Sequence, residues 1–129
     1  YDLLNFALKG LPGVIFAGSL NQHGDTAKNK QATKASYSNY PGADRAYQSQ
    51  FLMVGVPTSL TLAGTSFAAP QLSAYAAIIS SKFKEASPIQ IADQMLKTAR
   101  TDTIKNYNAA TFGRGEASLS RALSPISVQ

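Results

Sequence analysis

The segment Gly64-Thr65-Ser66, which directly precedes a run of small and apolar residues, is the part of the sequence best suited to chemistry. Pro70 lies four residues after Ser66, and proline is tolerated in the first turn of a helix, where its missing N–H has no intrahelical partner. The pattern predicts a helix that begins at or just before Ser66. Free backbone N–H groups and the positive end of the helix dipole favour negative charge there, so Ser66 can be a nucleophile. The other interpretation is an N-cap, in which the serine oxygen only accepts a backbone N–H.

The helix expected after Ser66 has few polar residues. From Phe67 to Ile79 only Gln71 and Ser73 are clearly polar, apart from the phenol of Tyr75. A helix without a broad polar stripe has no side that must face water. We therefore expect it to be buried on most sides.

The composition indicates one folded domain, or part of one, and excludes several kinds of site. The 129 residues are 44% hydrophobic, which is enough to bury a core. The sequence has no cysteine, which excludes disulfides, thiolate metal sites and a cysteine nucleophile. No uninterrupted apolar run has the length of a membrane span. The chain begins without a starting Met or a signal sequence, which predicts a mature or excised piece.

The net charge of +5 raises the question of a nucleic-acid partner. Three lysines, Lys28, Lys30 and Lys34, lie in one polar segment, and Arg45 follows them. No aromatic ladder or nucleic-acid-binding motif accompanies these residues, so the pattern favours a solvated loop over a nucleic-acid interface.

Two short apolar runs predict the strands of a parallel sheet. VIFAGSL (14–20) and FLMVGVP (51–57) lack polar alternation, which is typical of strands buried on both faces. Downstream, Ser87-Pro88-Ile89-Gln90 predicts a capped helix start, and the helix that follows would bury Ile91 and Met95. Helical spacing in residues 1–9 predicts the end of a helix, and FGRGEASLSRAL predicts a turn and a short closing helix.

The order of these elements, together with GTSFAAP, resembles the subtilisin-like serine proteases. In that family the nucleophile lies in a Gly-Thr-Ser-x-Ala-x-Pro motif at the start of a central buried helix. The matching residues here are Gly64, Thr65, Ser66, Ala68 and Pro70. VIFAGSL is similar to the family's strand after the oxyanion-asparagine loop, ASYSNYP to its Ala-Ser-aromatic-Ser-Asn segment, and FGRGEASLSRAL to its aromatic-Gly-x-Gly turn and closing helix. The resemblance implies an α/β, three-layer αβα architecture with an incomplete parallel sheet and a buried central helix.

The resemblance also implies what the chain does. Residues 1–129 would be the C-terminal part of a serine endopeptidase domain with Ser66 as nucleophile, and Gly64 and Thr65 in the oxyanion and substrate loop. The family's Asp, His and oxyanion Asn precede the serine, so the implied partners are the upstream part of the domain and a protein or peptide substrate. The chain alone is expected to be inactive. Secretion or a cell-envelope location is implied as well.

The resemblance leaves calcium open as a cofactor, because calcium sites are common in the family. No carboxylate cluster with convincing ligand spacing occurs in this sequence, so no metal site is assigned. His23, the one histidine, lies in His23-Gly24-Asp25, which is similar to the family's His-Gly-Thr motif. That motif leads directly into an apolar helix, whereas a polar stretch follows His23. We interpret His23 as a loop histidine and Asp25 and Asp44 as loop carboxylates.

A function of a different class is a subtilisin-like scaffold without catalysis, acting as a protein-interaction module. The encoding reading frame distinguishes the two. Upstream Asp, His-Gly-Thr and Asn segments favour the protease, and their absence favours the module.

Overall fold

The structure is a computed structural model that describes residues 13–27, 30–35, 38, 40–55 and 68–125. The helix predicted over residues 1–9 lies outside the described residues. Within the described part, the strands and helices follow in the order β1 (Phe16–Leu20), α1 (Arg45–Ser49), β2 (Phe51–Gly55), α2 (Ala68–Lys82), α3 (Pro88–Lys97), α4 (Ala109–Phe112) and α5 (Leu119–Leu123). None of the helices in these ranges is long and apolar enough to cross a membrane.

The two predicted strands form a parallel pair. The register runs from Phe16 opposite Phe51 to Leu20 opposite Gly55. Every residue of β2 is buried. Both strand predictions are therefore confirmed, and their continuous apolar character follows from helices covering both faces of the sheet.

A short segment, residues 114–117, is hydrogen-bonded along the other side of β2 and forms an isolated bridge with it. Met53 N–H donates to the carbonyl of Gly115, and Ala117 N–H donates to the carbonyl of Met53, both at 2.8 Å. On its far side Glu116 exchanges two main-chain hydrogen bonds of 2.8 Å with Arg100. The side chain at position 116 is therefore held at a fixed place beside β2.

The sheet separates two hydrophobic clusters, one on each face. Leu52 and Val54 pack with residues of α2, α3 and α5. Phe51 and Met53 point the other way, since successive side chains of a strand alternate, and pack with α1, α4 and Ile104. Helices thus lie on both faces of the sheet, and the predicted three-layer α/β architecture with an incomplete parallel sheet is confirmed.

The central helix α2 is less buried than the sequence predicts. Leu72 and Ile79 are buried and Tyr75 is partly buried, a spacing that gives one apolar stripe. On the opposite side Ala74 is exposed, and Ile78 is 44% exposed. Burial on most sides is not found within the described residues, because β1, β2, α3 and α5 all contact the helix from the side of this stripe.

The capped start of α3 is confirmed. Ser87 Oγ accepts from Gln90 N–H at 3.2 Å, and Gln90 Oε1 accepts from Ser87 N–H at 2.8 Å. Ile91 and Met95 are buried as predicted. Gln94, which the sequence places on the polar side, is also buried, because its side-chain amide donates to a main-chain carbonyl of α5.

Two short helices are not predicted by the sequence. Asp44 caps α1, and Asn108 caps α4, each accepting a backbone N–H with its side chain. The predicted closing helix is found as α5, with Ser118 as its N-cap. α1 and α4 are too short for apolar periodicity to reveal them, whereas Leu119, Ala122 and Leu123 of α5 have helical spacing.

Candidate active site

The residues predicted to carry the chemistry lie between β2 and α2. These residues, Gly64, Thr65 and Ser66, are outside the part of the chain that the structure describes. The structure describes the residues on either side, since β2 ends at Gly55 and α2 is described from Ala68, two residues after Ser66. The intervening segment therefore joins the carboxyl end of a parallel strand to the first turn of a 15-residue helix. Open α/β sheets carry binding and catalytic residues at this end of their strands.

The main chain that follows β1 packs directly on Gly55. A Cβ atom at Gly55 would lie 2.4 Å from the nitrogen of His23 and 2.6 Å from the carbonyl carbon of Gln22. Only glycine permits so close an approach of two backbones. The contact joins the carboxyl ends of both strands and fixes the point at which the segment with Ser66 leaves the sheet.

A side-chain hydrogen bond connects the start of α2 to the end of β2. Gln71 Nε2 donates to the carbonyl oxygen of Gly55 at 2.9 Å, in a partly buried position. Gly55 precedes the segment 56–67, and Gln71 follows it. The bond therefore fixes how far apart the two flanks of that segment lie.

A buried carboxylate anchors the loop after β1. Glu116 is 8% exposed, and its Oε1 accepts the hydroxyl of Thr103 at 2.7 Å. Both carboxylate oxygens also accept from Gly24 N–H, at 3.2 and 3.3 Å. Because Gly24 directly follows His23, Glu116 holds the same loop that packs on Gly55.

Burial raises the pKa of Glu116. The hydrogen bonds from Thr103 and Gly24 and the charges of His23 and Arg100 lower the pKa, but desolvation is the larger effect. A buried acid with a raised pKa can serve as a general acid. Only 10% of this side chain is exposed, however, and its oxygens already accept bonds from the protein. The geometry suits anchoring of the loop rather than proton transfer to a substrate.

The structure places His23 in a loop, as the sequence predicts. Its side chain is 62% exposed, and its Nδ1 lies 3.9 Å from Glu116 Oε2. That distance is too long for a hydrogen bond. The carboxylate therefore does not orient this imidazole as a catalytic base requires.

The other candidate carboxylates have local roles. Asp25 is exposed and accepts weakly from Ala27 N–H at 3.4 Å within a turn. Asp44 accepts from Ala46 N–H at 2.9 Å as the cap of α1. Within the described ranges no group of three or more His, Asp or Glu side chains could hold a metal ion. No calcium ligands are therefore assigned.

The structure describes three of the four basic residues that raise the question of a nucleic-acid interface. Lys28 lies outside the described residues. Lys34 Nζ donates to the carbonyl of Ala35 at 3.2 Å and lies 5.7 Å from the ring centroid of Tyr40. Lys30 and Arg45 are exposed. The side-chain contacts of Lys34 are thus local to its own segment, while its main chain forms a bridge with Leu20.

Two residues that shape this region, Gln71 and Glu116, are not singled out as site residues by the sequence. A signal exists for Gln71 only. It is one of two clearly polar residues between Phe67 and Ile79, and an isolated polar group of this kind requires a partner when it is buried. Glu116 has no comparable signal, because Arg114, Ser118 and Arg121 lie close to it in an ordinary polar stretch.

Comparison with known proteins supports the family suggested by the motif. The model of the peptidase S8 family, described as the subtilase family, matches residues 11–116. The matched range contains both strands, the segment with Ser66, and the residues Gln71 and Glu116. No curated protein matches the chain.

Proposed function

The chain belongs to the subtilase family, and we propose that it carries the nucleophile of a serine endopeptidase, Ser66. One observation carries the proposal. Gly64-Thr65-Ser66 falls within the range matched by the family and directly before α2, where the family has its catalytic serine. The family also makes peptides the expected class of substrate.

In the proposed reaction, Ser66 Oγ attacks the carbonyl carbon of a peptide bond while a histidine from the upstream part of the domain takes its proton. The oxyanion accepts hydrogen bonds from the N–H of Ser66 and from an upstream asparagine. The histidine then protonates the leaving amine, and water hydrolyses the acyl-enzyme. Gly64 and Thr65 shape the approach of the substrate.

The described residues support this arrangement by the rigidity that they give to both flanks of the serine segment. Gly55 is packed against the backbone of His23 and bonded to Gln71. A nucleophile needs such support because small displacements of a reacting group are costly in rate.

The proposal requires an upstream partner segment within the same protein. His23, exposed and 3.9 Å from the nearest carboxylate oxygen of Glu116, is not the base. Loss of the serine or the histidine of such a triad lowers the turnover number by about a millionfold. We therefore expect the 129-residue chain alone to be nearly inactive. By family, we also propose a secreted or cell-envelope location, which cell fractionation of the source organism would test.

Covalent labelling with a fluorophosphonate probe, read by intact mass, tests the proposal. The probe would be added to this chain, to the chain together with the upstream part of the domain, and to Ser66→Ala versions of both. Labelling that requires the upstream part and disappears in Ser66→Ala is the expected result. An assembled, folded protein that does not label would contradict the proposal and favour the non-catalytic interaction module.

A further inference from the structure

We propose that Gln71 is a positioning residue for Ser66, because its side-chain amide holds the first turn of α2 against the end of β2. The inference rests on the proposed function, since it concerns how the nucleophile is placed. In this proposal Gln71 supports the reaction by placing Ser66 and does not itself touch the substrate.

The first step of the argument is the position of the bond. Gln71 is the fourth residue of α2 as described, and Ser66 lies five residues before it. Its Nε2 reaches back to the carbonyl of Gly55, the last residue of β2, at 2.9 Å. Among the described side-chain hydrogen bonds, this one joins the two ends of the segment that contains the serine.

The second step is that Gly55 is a fixed acceptor. It pairs with Leu20 in the parallel sheet, and the backbone of His23 leaves no room for even one additional carbon atom beside it. The next residue of that loop, Gly24, is bonded in turn to the buried carboxylate of Glu116. Gln71 therefore ties the helix to a part of the protein that cannot easily shift.

The third step separates positioning from ordinary stabilisation. Gln94 makes the same kind of bond elsewhere, since its Nε2 donates to the carbonyl of Ala122 at 3.1 Å and joins α3 to α5. Both bonds should contribute to folding to a similar extent. If Gln71 acts on the nucleophile, removing its bond should slow the chemistry, whereas removing the bond of Gln94 should not.

Misplacement of a reacting group by about 1 Å can cost about a hundredfold in rate. We expect loss of the Gln71 donor to slow acylation of Ser66 by about tenfold to a hundredfold. Substrate binding should change little, because the Gln71 amide is bonded to the carbonyl of Gly55.

The experiment compares variants of the intact protein. Gln71→Met and Gln94→Met each replace the amide by an unbranched side chain without a donor. Gln71→Glu keeps the shape of glutamine and also lacks the donor at neutral pH. Gln71→His restores an N–H donor of similar reach. The measurements are the rate of fluorophosphonate labelling at Ser66, kcat and KM on a peptide substrate, and the midpoint of urea unfolding.

The expected result is slow labelling and a low kcat in Gln71→Met and Gln71→Glu, with KM within about twofold of the unsubstituted protein and recovery in Gln71→His. Gln94→Met should lower the unfolding midpoint and label at the unsubstituted rate. Equal rates in Gln71→Met and the unsubstituted protein, or equal losses in Gln71→Met and Gln94→Met, would overturn the inference alone. An unsubstituted protein that does not label at Ser66 would overturn the proposed function and this inference with it.

Discussion

Replacing Glu116 tests whether a buried carboxyl anchors the loop that packs on Gly55. The alanine variant removes the acceptor of two donors, the Thr103 hydroxyl and Gly24 N–H. Thr103 is only 5% exposed. A buried donor left without a partner costs about 1–3 kcal/mol. Since Gly24 is partly accessible to water, we expect Glu116→Ala to lower the free energy of unfolding by about 2–4 kcal/mol in total.

Glu116→Gln separates the hydrogen bonds from the charge. The amide oxygen can still accept from Gly24, and the Thr103 hydroxyl can turn to accept from the new N–H. We therefore expect a free energy of unfolding within about 1 kcal/mol of the original near neutral pH.

The pH dependence should differ between the two proteins. Burial raises the pKa of Glu116 above its ordinary value of 4.5, so the folded state binds the proton more tightly than the unfolded state. The stabilisation from this group is complete below about pH 4.5 and is lost as the pH rises through the raised pKa. The original protein should thus lose stability relative to Glu116→Gln as the pH rises through this window.

Urea unfolding at a series of pH values, followed by tyrosine fluorescence and circular dichroism, would measure these differences. A Ser66→Ala background prevents self-digestion if the protein is a protease. Other carboxyls, including Asp102, whose pKa is lowered mainly by its hydrogen bond to Arg100, are present in both proteins and cancel in the comparison. Parallel stability curves for the original and glutamine proteins, or a gain of the original over the glutamine variant with rising pH, would refute the reasoning.

Two further substitutions test the fold around the site. Gly55→Ala should prevent the loop after β1 from packing, because the new Cβ would lie 2.4 Å from the nitrogen of His23; we expect a loss of about 2 kcal/mol or more in urea unfolding, and an unchanged midpoint would show that the backbones separate readily. Ser87→Ala removes the capping box of α3 and should cost about 1 kcal/mol. Ser80→Ala, on an exposed site within α2, is its matched control and should be neutral or slightly stabilising.

The elements predicted correctly are those whose signal is local. The apolar runs give β1 and β2, and Ser87 with Gln90 specifies the start of α3 through contacts three residues apart. The short helices capped by Asp44 and Asn108 escape prediction because a capping side chain also occurs in turns without any helix.

The features that were not predicted depend on residues far apart in the sequence. One partner of Glu116, Gly24, is 92 positions away, and no local pattern indicates such a pairing. The exposure of α2 has a related cause. The composition of a helix shows which side can be buried, but it does not show which other elements pack on that side. The candidate site was located by its motif alone, whereas the supports supplied by Gln71 and Glu116 became visible only in the fold.

The long separation of these contacts also governs the order of folding. β2 pairs on one side with a strand that precedes it, and on the other side with residues 114–117, whose Arg114 side chain bonds the carbonyl of Ser49 across 65 positions. Loops of this length close slowly, and the sheet gains its last partner only when the downstream residues arrive. During synthesis on the ribosome, the loop after β1 can therefore be anchored only after Glu116 has been made, and Glu116 follows Ser66 by some 50 positions. A nascent chain would thus complete the framework around its serine only near the end of translation of this segment.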